Sequence, residues 1–186
     1  MNKDNKGFSL LEFIIVLGMA AILAGSAVSF TGYIRFANSK SCAEKLYAGI
    51  DKLQVTSMAK QNKRLMIVWR KNNEYFYDVF SYDPLTGVSG NAAKTECVNT
   101  CTGAVNNGIK FGNSALKMTY KYTANDGTVT THELADGEYF FIAYALDGSY
   151  KTDMNGADEI KIESANGEGM VYTIKLIKET GKHFIK

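Results

Sequence analysis

Chemistry needs groups that pass protons, attack a carbonyl or hold a metal, and this chain is sparing with them. Only two histidines, His132 and His183, occur among 186 residues. His132 lies in an alternating run and His183 near the last residues, and neither belongs to a motif that sets an acid beside a base. Solvent-exposed or packing roles are expected for both. There is no phosphate-cradling glycine loop, no HExxH and no nucleophile elbow. With no catalytic constellation, the sequence points away from an enzyme.

Three cysteines cannot all pair within one chain. Cys97 and Cys101 lie close together in a Thr/Asn/Gly-rich stretch, and a disulfide there is open, though it would close only a tiny loop and add little through chain entropy. A metal at that pair is not indicated, because there is no second cysteine pair and both histidines are distant in sequence. Cys42, inside an expected helix, reads as a small buried apolar residue. Asp153, Asn155 and Asp158 offer oxygen ligands of the kind calcium takes, set against a plain polar hairpin turn. The match to an EF-hand loop fails after Asn155.

Glu12 is the most informative residue. It stands at the mouth of a charge-free run, Phe13 to Ile34, of 22 residues. As a helix this run would extend about 33 Å, enough to cross a hydrocarbon core. A carboxylate beside hydrocarbon is costly unless a cation answers it. Lys3 and Lys6 precede the run while Arg35 and Lys40 follow it, so flanking charge does not set an orientation. A secretory signal would have its small residues at Ala24-Gly25-Ser26, but Glu12 argues against that reading. A lipoprotein signal would need a cysteine where Ser26 stands. The third reading is an anchor retained after cleavage just before the apolar run.

The residues Lys6-Gly7-Phe8-Ser9-Leu10-Leu11-Glu12 resemble the leader junction of type IV prepilins and type II secretion pseudopilins. The resemblance covers residues 6 to 34. It implies that a prepilin peptidase cuts between Gly7 and Phe8 and methylates the new amine of Phe8. Glu12, fifth in the mature chain, would then meet the N-terminal amine of a neighbouring subunit within the filament core, where an unpaired charge is costly. The chain departs from many major pilins in carrying Ser29 where they have a proline. Gly18, Gly25 and Gly32 recur every seven residues instead. The family also implies weak calcium binding near the C-terminus, which bears on Asp153, Asn155 and Asp158.

These residues need elements to position them. Pro84 is the sole proline, so a helix can continue past the apolar run. Ala43, Leu46, Ile50, Leu53 and Ser57 recur at three- and four-residue spacing, one face of an amphipathic continuation over 35–62. Beyond Asn62 the period becomes alternating. Leu65–Arg70 and Tyr75–Tyr82 read as strands, as do Leu116–Thr123, Thr128–Leu134, Glu138–Leu146, Glu159–Glu163, Met170–Lys178 and Lys182–Ile185. Asn125-Asp126-Gly127 supplies a hairpin turn. Ser81 to Lys110 is expected to be a surface loop.

The expected fold is therefore α+β. A leader (1–7), an apolar transmembrane and assembly helix (8–34) and its amphipathic continuation (35–62) precede an antiparallel β head (63–186), a small sandwich leaning on the helix. The order of helix, sheet and closing strand is similar to the GspH/FimT-like minor pseudopilins. That resemblance implies a structural subunit, minor or priming, of a type IV pilus or secretion pseudopilus. Its implied partners are other pilins, the peptidase, an inner-membrane assembly platform with its ATPase, and membrane lipid before assembly. A major pilin, and a tip subunit binding DNA or a surface ligand, are the alternatives. With a net charge of only +2 and basic residues not gathered among the aromatics, nucleic acid is disfavoured.

Overall fold

The computed structural model describes residues 10–60, 63–82, 108–123, 127–151, 157–167, 169–178 and 180–186. Its first element, α1 (Leu10–Lys60), is one helix of 51 residues, about 77 Å long at the usual helical rise. Neither of its halves carries proline, and Glu12 sits in its first turn, where a carboxylate suits the positive end of the helix dipole.

Among the described residues ten strands follow: β1 (Lys63–Lys71), β2 (Glu74–Tyr82), β3 (Ile109–Gly112), β4 (Leu116–Thr123), β5 (Val129–Glu133), β6 (Tyr139–Tyr144), β7 (Tyr150–Lys151), β8 (Glu159–Ser164), β9 (Tyr172–Leu176) and β10 (His183–Ile185). They form two five-stranded sheets, ordered β3-β2-β1-β6-β7 and β10-β9-β8-β4-β5. Every pairing is antiparallel. The chain is thus α+β, with a long N-terminal helix packed against antiparallel sheets.

One core joins all three layers. Cys42, Ala43, Leu46, Ile50 and Leu53 from α1 meet Met66, Val68, Tyr75, Phe140 and Ile142 of the first sheet. The second sheet adds Met118, Ile160, Ile162 and Ile174. Alternation places these residues inward, as in β8, where Ile160 and Ile162 are buried between partly exposed neighbours. The first sheet is also covered on its other face, where Leu65, Ile67, Trp69, Phe76, Phe141 and Ala143 form a second buried cluster. Burial on both faces accounts for the unbroken apolar run Leu65 to Trp69.

The β1–β2 hairpin turns through Asn72 and Asn73, both in the left-handed region at φ 53° and 60°. Asparagine tolerates that conformation better than most residues. The expected loop over 81–110 ends two residues early, because Ile109 and Lys110 begin β3, which pairs with β2 through a register shift beside Tyr75. The short edge strand β7, pairing with the end of β6, was not expected from the sequence.

Candidate functional site

The two halves of α1 do different things. From Leu10 to Gly25 every residue is exposed to the surroundings of the single chain. Leu10, Phe13, Ile22 and Leu23 remain 80%, 60%, 74% and 69% exposed, a density of apolar surface that a soluble domain rarely presents. Glu12 is the only charged residue of that half. Gly18, Gly25 and Gly32 have nothing within 4 Å of where a Cβ would stand, so the described chain leaves their side of the helix open. Among the described residues no helix is long and apolar enough to cross a membrane. The run Phe13 to Ile34 includes 26–31, whose side chains lie outside the described residues.

From Ser39 onward the helix is seated on the head. Cys42, Ala43, Leu46, Ile50 and Leu53 are at most 1% exposed, matching the spacing of the expected amphipathic face. Burying each large side chain contributes about 1.5–3 kcal/mol. The Ser57 hydroxyl, also buried, donates to the Leu53 carbonyl at 2.8 Å, which satisfies it without a partner from the head. Burial pushes the Cys42 thiol up to about 12, so the group stays protonated and serves as packing.

At the upper end of this seat, polar contacts join the helix to two turns. The Gln54 side-chain amide donates to the carbonyls of Gly148 and Gly181, each at 3.0 Å. Nearby, the His183 ring packs on Tyr47 with centroids 4.8 Å apart, and its Nδ1 lies 3.3 Å from the Tyr144 hydroxyl. Its buried Nε2 has no hydrogen-bond partner among the described residues, and Asp51 Oδ1 stands 3.8 Å away. Burial lowers the His183 pKa, opposed by the Gly181 backbone and by the Asp51 charge. The same enclosure raises the Tyr144 phenol.

The other candidates fall apart in space. His132 lies on β5 and stacks on Tyr120 at 5.5 Å, while His183 lies on β10 at the opposite edge of the same sheet. Four strand spacings, about 19 Å, separate those edges. Asp158 accepts from the Thr123 amide at 2.7 Å through Oδ2, and its buried Oδ1 has no hydrogen-bond partner among the described residues. Asp153 and Asn155 lie outside the described residues, as do Cys97, Cys101, Gly7 and Phe8. Among the described residues no group of three or more metal-binding side chains converges.

Grooves on the head are lined by described residues. One, of about 240 Å³, runs between α1 and β3, lined by Asn38, Ser41, Lys45 and Asn113 among others. The second, of about 560 Å³, crosses the outer face of the second sheet. There Glu159 bonds both Lys121 and Lys175, and these bonds hold its carboxyl below its ordinary value despite partial burial. Opposite charges in contact leave the second groove no strong field of one sign, whereas the charged residues lining the first are Lys45 and Lys110, the latter paired with Glu74. The Gln54 clamp and the His183 junction are details that periodicity does not reveal, because both depend on turns meeting the helix from far along the chain.

Compared with family models, with curated proteins and with solved structures, the chain has no match.

Proposed function

We propose that the chain is a structural subunit, minor or priming, of a type IV pilus or type II secretion-like filament. The observation that carries this reading is the division of α1. One continuous helix has an exposed apolar half headed by a single carboxylate, Glu12, and a half whose apolar stripe is consumed by the head. A rod of that kind suits storage in a membrane followed by transfer into a bundle of like helices, since hydrocarbon and neighbouring helices both cover apolar side chains. The junction Gly7-Phe8 would mark the chain for the prepilin peptidase. Glu12 would register each subunit against the amine of the next, because a buried carboxylate without a cation is strongly unfavourable.

On this reading the chain resides first in the cytoplasmic membrane as a single-pass protein, with its head outside the cytoplasm. It acts mechanically, alongside other pilins, the assembly platform and its ATPase. Mass spectrometry of the mature protein tests the proposal. N-methylated Phe8 at the new terminus is the expected result, and a terminus near Ser26 would overturn it in favour of a secreted head.

A further inference from the structure

Two contacts fix how the second sheet runs along the helix. The Phe36 and Tyr172 rings lie 6.3 Å apart, at the start of β9. Farther on, Tyr47 and Asp51 meet His183, which pairs in register with Leu176 at the end of β9. Helix and strand therefore advance in the same direction, by about 20 Å along α1 and about 13 Å along β9. Residues before Tyr172 consequently project back toward the apolar half of the helix. Met170 reaches up to about 7 Å below Tyr172, to the level of Gly32 and Tyr33.

That rim is apolar where it should be polar. Met170 and Val171 are 62% and 43% exposed, and Tyr33 and Ile34 on the adjoining helix are 68% and 43% exposed. Gly167 and Gly169 at φ 70° and 111° carry the chain through the turn that presents Met170. Lys186 pairs by backbone hydrogen bonds with Thr173 in both directions, which places a cation at the same end of the sheet. Apolar side chains flanked by tyrosine and lysine, level with the end of a charge-free helical run, have the composition of a membrane–water interface.

We propose that this rim of the head, with Met170 and Val171 at its tip, rests on the lipid surface before assembly and holds the head against the bilayer. The inference rests on the membrane reading of α1 given above. Its occupant is lipid because the patch lies level with the exposed Tyr33 and Ile34 at the end of the charge-free run of α1, and Lys186 suits anionic headgroups.

The test uses the full chain, with Cys42→Ala, Cys97→Ser and Cys101→Ser, in vesicles of phosphatidylethanolamine and phosphatidylglycerol. A single environment-sensitive label is placed in turn through Ile22→Cys, Met170→Cys or Leu146→Cys. Leu146 is as exposed as Val171, at 43%, and lies in the β6–β7 turn at the far end of the head. Spin-labelled lipid is expected to quench the labels at 22 and 170 but not at 146, with a several-fold loss of iodide quenching at 170 relative to 146. Quenching at 22 with full iodide access at 170 would overturn this proposal and leave the membrane reading standing. Shielding at 170 from both quenchers would assign the rim to contact with protein, its own chain or a second copy, and overturn the lipid contact. No lipid quenching at 22 would overturn the membrane reading and this proposal together.

Discussion

The side-chain nitrogen of Gln54 lies 3.0 Å from the carbonyl oxygen of Gly181. The same nitrogen reaches Gly148, so one amide on α1 ties together the β6–β7 and β9–β10 turns. The two turns are packed so closely that a Cβ added to Gly181 would stand 1.7 Å from the Gly148 oxygen. Gly181 also has φ 64°, which favours glycine. Helix and head therefore meet at a point fixed by backbone as well as by apolar packing.

Gln54→Ala leaves two part-buried carbonyls without their donor, and should cost about 1–3 kcal/mol. Gly181→Ala should cost more, because left-handed strain and a backbone clash act together. Chemical denaturation of the detergent-solubilised chain measures both. Equal midpoints for the parent and Gln54→Ala would remove the clamp from the account of stability.

The helix seat should also respond to core truncation. Leu46 is fully buried in the shared core, and Leu46→Ala should destabilise by about 2–5 kcal/mol through lost burial and a cavity. Gly112→Ala acts in the opposite sense by overfilling, since its Cβ would stand 3.0 Å from the Tyr75 ring and 3.1 Å from the Cys42 sulfur. A cost of about 1–3 kcal/mol is expected there. Cys42 supplies a second readout, because its buried, protonated thiol should resist thiol reagents until the seat opens. Prompt labelling of Cys42 in the folded chain would contradict this packing.

The helix face and most strands were legible in sequence for a simple reason. Ala43, Leu46, Ile50 and Leu53 keep helical spacing, and β8 alternates over its length as the first half of β4 does, so local period and final burial agree there. The edge strands β3 and β7 were not legible, because four and two residues carry too little period and gain their pairing from β2 and β6. The Gln54 clamp and the His183 junction were invisible because they are made by residues distant in the chain, 39 positions apart for Tyr144 and His183 and 127 for Gln54 and Gly181. Glu12 is different in kind. On the proposed reading its functional partner belongs to a neighbouring subunit, so sequence context rather than a contact among the described residues singles it out.

Acid should loosen the upper junction. Burial sets the folded-state pKa of His183 below its ordinary value near 6.5, so the unfolded chain takes up a proton first as pH falls. The stability held above pH 6.5 is then lost progressively as pH drops toward the depressed value. The groups facing the ring are Tyr47 and Asp51 from α1 and Tyr144 from β6. His183→Phe should flatten the fall in melting temperature as pH drops below about 6.5. Glu159, also lowered, acts in a separate window below its ordinary value of 4.5. An unchanged slope in the His183→Phe chain would show that other groups set the acid response.

If the proposed filament reading holds, Glu12 separates processing from assembly. A peptidase acting at Gly7-Phe8 would read the junction before the helix is packed, whereas a pair between Glu12 and a neighbouring terminus would form only when subunits meet away from water. Glu12→Gln keeps size and polarity but removes the charge, so the terminus of the next subunit would enter the bundle without its counter-ion. Cleavage should therefore continue at the parental level, and incorporation into sheared filaments should fall by at least an order of magnitude. Glu12→Asp keeps the charge on a shorter arm and should restore part of the loss. Mass spectrometry reads the first quantity and quantitative blotting of filaments the second. Normal incorporation of Glu12→Gln would mean that registry comes from the packing of the exposed apolar half alone.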